Sequence, residues 1–360
     1  MKFNQHPINA LGKGVFFALG AAFLFGISAP AAKILVGSVE PALLAGLLYL
    51  GSAAGLGVWL LIGLVRGVRR NEAPLRRKDL GWLSGAILSG GVLGPLLLMM
   101  GLQKLSGFAA SLLLNMESVF TILLAWFLFR ENFDRRIAIG VAFIILGGVS
   151  LSWSGGGGEF GWDGFVLLLG ACLAWGIDNN LTRQISGGDP IQIAFAKGLV
   201  GGLVNLAVAA KSGALSIGFS TAAASAVLGL FGYGISLVFF ILALRHMGTA
   251  RTGAYFATAP FIGSIFSVLL LGDVVTVNLL FAAILMGWGV WLHLSERHGH
   301  EHLHEPLAHE HAHSHDSHHQ HDHSDSDDVH EPHSHRHDHS PLAHSHHHFP
   351  DLHHKHSHAK

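Results

Sequence analysis

Residues 101–131, GLQKLSGFAASLLLNMESVFTILLAWFLFRE, read as the end of one apolar segment, a short polar break and a second apolar segment. Much of this pattern returns 142 positions later, at 243–273, as ALRHMGTARTGAYFATAPFIGSIFSVLLLGD. Gly101-Leu102 answers to Ala243-Leu244, Ser111 to Gly253, Glu117-Ser118 to Ala259-Pro260 and Glu131 to Asp273. Continued without a gap, Gly147 meets Gly289. Upstream, at an offset near 150, Phe23-Leu24-Phe25-Gly26-Ile27 pairs with Leu173-Ala174-Trp175-Gly176-Ile177, Lys33 with Arg183, and Glu40-Pro41 with Asp189-Pro190. Two weakly similar apolar halves are the pattern of a transporter built from internal repeats.

Composition agrees. Hydrophobic residues make up 50% of the 360 and charged residues 12%, so the apolar runs exceed what a soluble core of this size hides. The last 63 residues are different material, holding 25 of the 28 histidines. Residues 1–297 carry 19 Lys/Arg against 12 Asp/Glu, a balance of +7, and residues 298–360 carry 3 against 11, a balance of −8. The net charge of −1 is therefore a cancellation between a basic body and an acidic tail. One cysteine, Cys172 in an apolar run, leaves no intrachain disulfide and no thiolate metal site.

A spanning helix needs about 20 mostly apolar residues. Ten such runs are present, near 14–35, 42–65, 81–103, 108–129, 136–153, 164–182, 191–210, 222–244, 252–271 and 277–294. Backbone groups in hydrocarbon must pair internally, and strand alternation is absent, so the runs predict helices. The first run with Ala29-Pro30-Ala31 imitates a signal peptide, but it is long and has a counterpart near 164–182, so it reads as a true span. Lys2, Lys13, Arg66, Arg69, Arg70, Arg76, Arg77, Lys78, Arg130, Arg135, Arg136, Arg183, Arg245 and Arg251 fall on one side of such a topology. This places both termini in the cytoplasm. Five spans per half is odd, so the second half enters the membrane inverted. The expected units are a first repeat at 12–153, a Gly-rich external connector at 154–163, a second repeat at 164–296 and a disordered tail at 297–360. The fold class is an all-α membrane protein of two inverted five-helix repeats plus a disordered cytoplasmic tail. Gly51, Gly55, Gly198 and Gly202 have the four-residue spacing of close helix approach.

The quoted stretch, its echo and LGAAFLFGISAPAAKIL near the start resemble the drug/metabolite transporter superfamily, of the EamA type. The resemblance covers about 12–295. It implies a ten-helix inverted repeat around a central cavity, with the fifth and tenth spans peripheral. It also implies cargo among amino acids, other small metabolites, nucleotide sugars or drugs. Glu117-Ser118 stands where the family commonly has Glu-Pro, whereas Ala259-Pro260 keeps the proline without the acid. This departure implies a kink in the second copy only.

Ionisable residues within a span are costly and mark cavities or partners. Glu117 lies mid-span beside Asn115 and Ser118; Asp178-Asn179-Asn180 lies in the sixth span, mapping onto Ser28-Ala29-Pro30; Lys197 lies two turns into the seventh. The functional reading gives Glu117 or Asp178 a proton or a substrate amine, with Lys197 as counter-charge or carboxylate ligand and Asn115 and Asn179 as polar neighbours. The plainer reading is a structural ion pair, Asp178 with Lys197 or Arg183. Tyr233 and Tyr255 are candidate substrate contacts.

In the tail, His alternates in HGHEHLH, HEHAHSH and HSHRHDH. His311, His313, His315, His318, His319, His321, His323, His333, His335, His337, His339, His346, His347 and His348 are candidate ligands for Zn, Ni or Co. A flexible tract of this kind buffers metal in many registers, and a pH-responsive polycation is a second reading. No cofactor is required, and a homodimer is compatible with the pattern. No nucleophile–base pair is evident, and GGGG at 155–158 lacks the lysine and strand of a phosphate loop, so an enzyme is not expected. The expected function is an exporter of small organic metabolites such as amino acids. The alternative is a divalent-metal permease with the tail as metal collector or sensor. A third reading is a membrane-tethered metal buffer.

Overall fold

The computed structural model describes residues 6–67, 72–129, 135–152 and 161–295, with four further segments at 299–304, 307–313, 333–339 and 342–347. Ten helices among them are long and apolar enough to cross a membrane: α1 (Gly12–Val36), α2 (Pro41–Val65), α3 (Arg77–Lys104), α4 (Gly107–Leu128), α5 (Arg135–Ser152), α6 (Trp162–Ile185), α7 (Pro190–Lys211), α8 (Phe219–Met247), α9 (Arg251–Leu271) and α10 (Val277–Leu294). They coincide with the ten apolar runs.

Local chemistry repeats between the halves. Glu40 caps α2 by accepting from the Leu43 amide at 2.8 Å, and Asp189 caps α7 by accepting from Ile191 and Gln192 amides at 2.9 and 3.3 Å. Pro41 and Pro190 follow them in the first turn, where a missing N–H costs nothing. Packing repeats as well: α2 lies against α7, α5 against α10, α1 against α8 and α9, and α6 against α3 and α4. Exchanging the repeats (α1 for α6, and so on) turns α1–α8 into α6–α3 and α1–α9 into α6–α4. The contact set thus maps onto itself.

Both repeats also bend at matching places. A π-helical stretch interrupts α3 at Ile87–Leu93 and α8 at Leu230–Ile235. The helical segments Gly107–Leu113 and Met116–Phe129 meet at a break in α4, and Ser236–Phe256 and Ala259–Leu271 meet at the corresponding break in α9. The expectation of a kink in the second copy only is therefore corrected. Without proline, α4 still breaks: the backbone tightens to three-residue bonds (Asn115 N to Leu112 O at 3.0 Å, Glu117 N to Leu114 O at 3.0 Å, Ser118 N to Asn115 O at 3.2 Å), and Asn115 Nδ2 and Ser118 Oγ also donate to Leu112 O and Asn115 O at 3.2 and 2.7 Å. The junction of α8 and α9 differs from a loop too, since the helix Ser236–Phe256 runs through it. In the first repeat Ser106 starts α4 by accepting from the Ala109 amide at 3.2 Å; its counterpart, Gly248, has no side chain to cap with.

Each end of the bundle is tied across elements. On the arginine-rich side, Arg245 of α8 donates to Ser186 O (3.1 Å) and Gly188 O (2.8 Å) after α6, and to Glu72 before α3 (2.8 Å). On the other side, Gln103 of α3 reaches Val36 O at the end of α1 at 3.5 Å, and Lys33 Nζ donates to Leu102 O. Gln103 and Val36 align with Arg245 and Ser186, so the two ties are repeat mates. Trp59, Trp82, Trp126, Trp162 and Trp291 are exposed, as lipid-facing anchors are. Trp153, Glu131 and most of the Gly-rich connector lie outside the described residues.

In the tail, where no regular structure is expected, Gly299–His304 pairs antiparallel with Leu342–His347, and Leu307–His313 with His333–His339. The register sets His309, His311 and His313 opposite His337, His335 and His333. A His at every second residue has the period of a strand. Two-stranded ladders of this kind are marginal alone.

Candidate functional site

The π-helical stretch of α3 builds one wall of the site. A π turn displaces helical hydrogen bonds, and here the carbonyls it turns outward are taken by side chains from three neighbouring helices. Tyr49 Oη of α2 donates to Gly90 O at 2.6 Å and Trp175 Nε1 of α6 donates to the same oxygen at 3.1 Å. Asn205 Nδ2 of α7 donates to Gly91 O at 3.2 Å and Val92 O at 3.4 Å. Position 90 must lack a side chain, because a Cβ there would overlap the Asp178 carboxylate.

Asp178 and Lys197 form a buried pair. Lys197 Nζ lies 2.6 and 2.7 Å from the two Asp178 oxygens and 3.2 Å from Thr182 Oγ1, and Thr182 Oγ1 donates to Asp178 Oδ1 at 2.8 Å. Lys197 is 1% exposed. Burying two charges this deeply is tolerated only with such complete pairing. The pairing of Asp178 with Lys197 is the geometry of the plainer reading of these residues. Glu117 lies in the first turn of the second segment of α4, just past the break. It accepts from Asn179 Nδ2 at 2.9 Å, and Asn179 Nδ2 also reaches Thr121 Oγ1 at 3.2 Å. Asn180 Nδ2 clamps Thr121 O at 3.0 Å, which fixes α6 against α4 beside the carboxylate.

These groups line a small cavity, about 50 Å³ of it open to the centre of a water, walled by Phe25, Tyr49, Glu117, Trp175, Asp178, Asn179, Lys197 and the Gly232–Phe240 part of α8. A second lobe, about 20 Å³ on the same measure, shares Phe25, Glu117, Asn179, Phe240 and Phe256 and extends to Asn115, Thr121 and Pro260. Both repeats contribute, and α5 and α10 contribute nothing to either lobe. Repeat mates Phe25 and Trp175 meet edge-to-face at 5.5 Å, centring the cavity where the halves touch.

Of the residues singled out in the sequence, Glu117, Asp178, Asn179, Lys197, Asn115 and Tyr233 line these lobes. Tyr255 does not: it packs near Ala18, Ala243 and Met247, away from both lobes, because its turn of α9 faces α1. Of the tail ligands, His311, His313, His333, His335, His337, His339, His346 and His347 fall in the extended segments. His315, His318, His319, His321, His323 and His348 lie outside the described residues. Sequence reasoning passed over Phe25, Trp175, Phe240 and Phe256. For Trp175 a signal existed: it sits mid-span, unlike the tryptophans at span ends, and it aligns with Phe25.

The comparisons with known proteins agree with this architecture. The model of the EamA-like transporter family matches residues 12–153 and 162–295. An uncharacterized transporter of Methanothermobacter thermautotrophicus is 28% identical over 302 residues, covering 78% of this chain and 85% of that one. A second, of Clostridium kluyveri, is 20% identical and covers 79% of this chain and 93% of its own length. An 80-residue portion is 43% identical to a Pseudomonas fluorescens protein described as "probable 4-amino-4-deoxy-L-arabinose-phosphoundecaprenol flippase subunit ArnE", covering 22% of this chain and 68% of that one. A crystal structure at 19% identity superposes with a TM-score of 0.58 over 78% of this chain and 94% of that chain, which shows the shared fold. Ten spans in two similar halves, a cavity between them and a family match to both halves place this chain in the EamA-like transporter family.

Proposed function

We propose that this membrane transporter is a secondary active exporter of small organic metabolites bearing an amino group. The observation that carries the reading is the Glu117 carboxylate in a mid-bundle cavity walled by both repeats. A carboxylate there holds either a proton or a substrate ammonium, and exchanging one for the other couples export to proton entry. With five spans in each half, consecutive crossings leave the repeats antiparallel, so the ties at Arg245–Ser186 and Gln103–Val36 close opposite mouths. Alternating access breaks one while the other holds. The excess of Lys and Arg on the Arg245 side supports a cytoplasmic location for that face, both termini and the tail. The ArnE-type relative's described substrate also carries an amino group.

The histidine tail is assigned an accessory role in binding Zn, Ni or Co. The metal-permease alternative meets no support in the bundle, where no three His, Cys, Asp or Glu converge among the described residues. The test is flux in proteoliposomes made with the full chain and with a form ending after Arg297. We expect organic amines to cross at equal rates in both. Zinc or nickel flux that requires the tail would overturn the organic-exporter reading.

A further inference from the structure

The charges lining the cavity are not equivalent. Lys197 spends itself on Asp178 and Thr182, three contacts for the three donors of an ammonium. It has none left for a substrate carboxylate. Glu117, by contrast, is held among the described residues only by the neutral Asn179 amide, and the charged groups acting on it there are that same Asp178 and Lys197. One lysine against two carboxylates leaves a net charge of −1 when Glu117 is ionised, and that charge is located at Glu117.

The walls are aromatic. Phe25 contacts Trp175, Tyr233 and Phe256 at centroid distances of 5.5, 5.8 and 5.3 Å; Tyr49 joins Tyr233 at 5.5 Å and Phe240 joins Phe256 at 4.9 Å. The polar ends of Tyr49 and Trp175 are already engaged by Gly90 O, so what they offer a ligand is ring surface. The Tyr233 hydroxyl makes no hydrogen bond within the described residues.

From this arrangement we propose that the cavity selects organic monocations, an ammonium on an aromatic or apolar body, over zwitterions and anions of the same body. The ammonium pairs with Glu117 while the body lies among rings whose faces favour positive charge. A zwitterion brings in a carboxylate that meets two carboxylates and a lysine with no free donor, so it is rejected by an unpaired buried charge. Amino acids, one of the cargo classes implied by the family resemblance, become the disfavoured class. The inference rests on reading this cavity as the substrate site.

The test uses three ligands sharing one phenyl ring: phenethylamine, phenylalanine and 3-phenylpropionate. Binding to the full-length protein in lipid nanodiscs is measured by calorimetry, and counterflow of the same three in proteoliposomes. We expect phenethylamine to bind at least about tenfold more tightly than phenylalanine, and 3-phenylpropionate weakest. Glu117→Gln is expected to erase this order and Glu117→Asp to preserve it; because the order itself is read on the unmodified protein, a variant that misfolds does not shield the proposal. Phenylalanine binding as well as phenethylamine, an order unchanged by Glu117→Gln in a folded variant, or no binding of any of the three overturns it. The charge order without counterflow of any compound sinks the transport reading alone. Equal counterflow of phenylalanine and phenethylamine sinks the charge selection alone.

Discussion

At the scale of single residues, pairing decides what each charge is free to do. Truncating Lys197 to Met strands the Asp178 carboxylate in the bundle, and we expect a loss of about 3–5 kcal/mol. The double change Asp178→Leu with Lys197→Met removes both charges and is expected to recover most of that loss. Thermal unfolding in detergent measures both; a single variant as stable as the parent would mean the pair bears no structural load. Gly90→Ala drives a Cβ into Asp178 and is expected to destroy transport, while Gly81→Ala, with open space around it, is expected to be silent. Equal behaviour of the two in the same flux assay would contradict the packing described. The polar residues Glu117, Asp178, Asn179 and Lys197 were legible in the sequence because ionisable and amide side chains in apolar spans are rare. Their division into a satisfied pair and a free carboxylate was not, since it depends on which of α4, α6 and α7 face each other.

At the scale of elements, the repeat explains both what recurs and what does not. Glu40 and Asp189 cap equivalent helices, the π-helical stretches occupy equivalent turns, and Gln103 and Arg245 tie equivalent ends. The Arg245 tie is the stronger, because a guanidinium fork holds two carbonyls and a carboxylate at once. Arg245→Lys keeps the charge and loses the fork. It is expected to slow turnover several-fold and to increase labelling of a cysteine placed at position 237, in a background with the buried Cys172 replaced. Unchanged labelling would show that the tie does not close that mouth. The bend in α4 differs from the sequence expectation because proline is only one way to break a helix; here the backbone tightens to three-residue bonds at carbonyls that the Asn115 and Ser118 side chains also engage.

At the scale of the whole molecule, the body and the tail differ in chemistry, an apolar basic bundle against an acidic, histidine-rich tract. Removing residues 298–360 takes away 25 histidines and no part of the described cavity. We expect the truncated protein to keep its thermal stability and to lose most of its capacity for nickel and zinc, as read by calorimetry. A falling melting temperature would indicate that the tail packs on the bundle. The ten spans, their division into two halves and the matching caps were determined by the sequence alone. Apolar length, terminal Lys and Arg, and a cap residue before a proline act locally and leave a linear record. The tertiary structure alone decided that Lys197 is consumed by Asp178, that Tyr49 and Trp175 share the Gly90 carbonyl, that Tyr255 lies outside the cavity, and that Glu117 is left as its free charge. Each of these depends on the rotation of one helix against another. That rotation comes from close packing of side chains far apart in the chain, which no local pattern encodes.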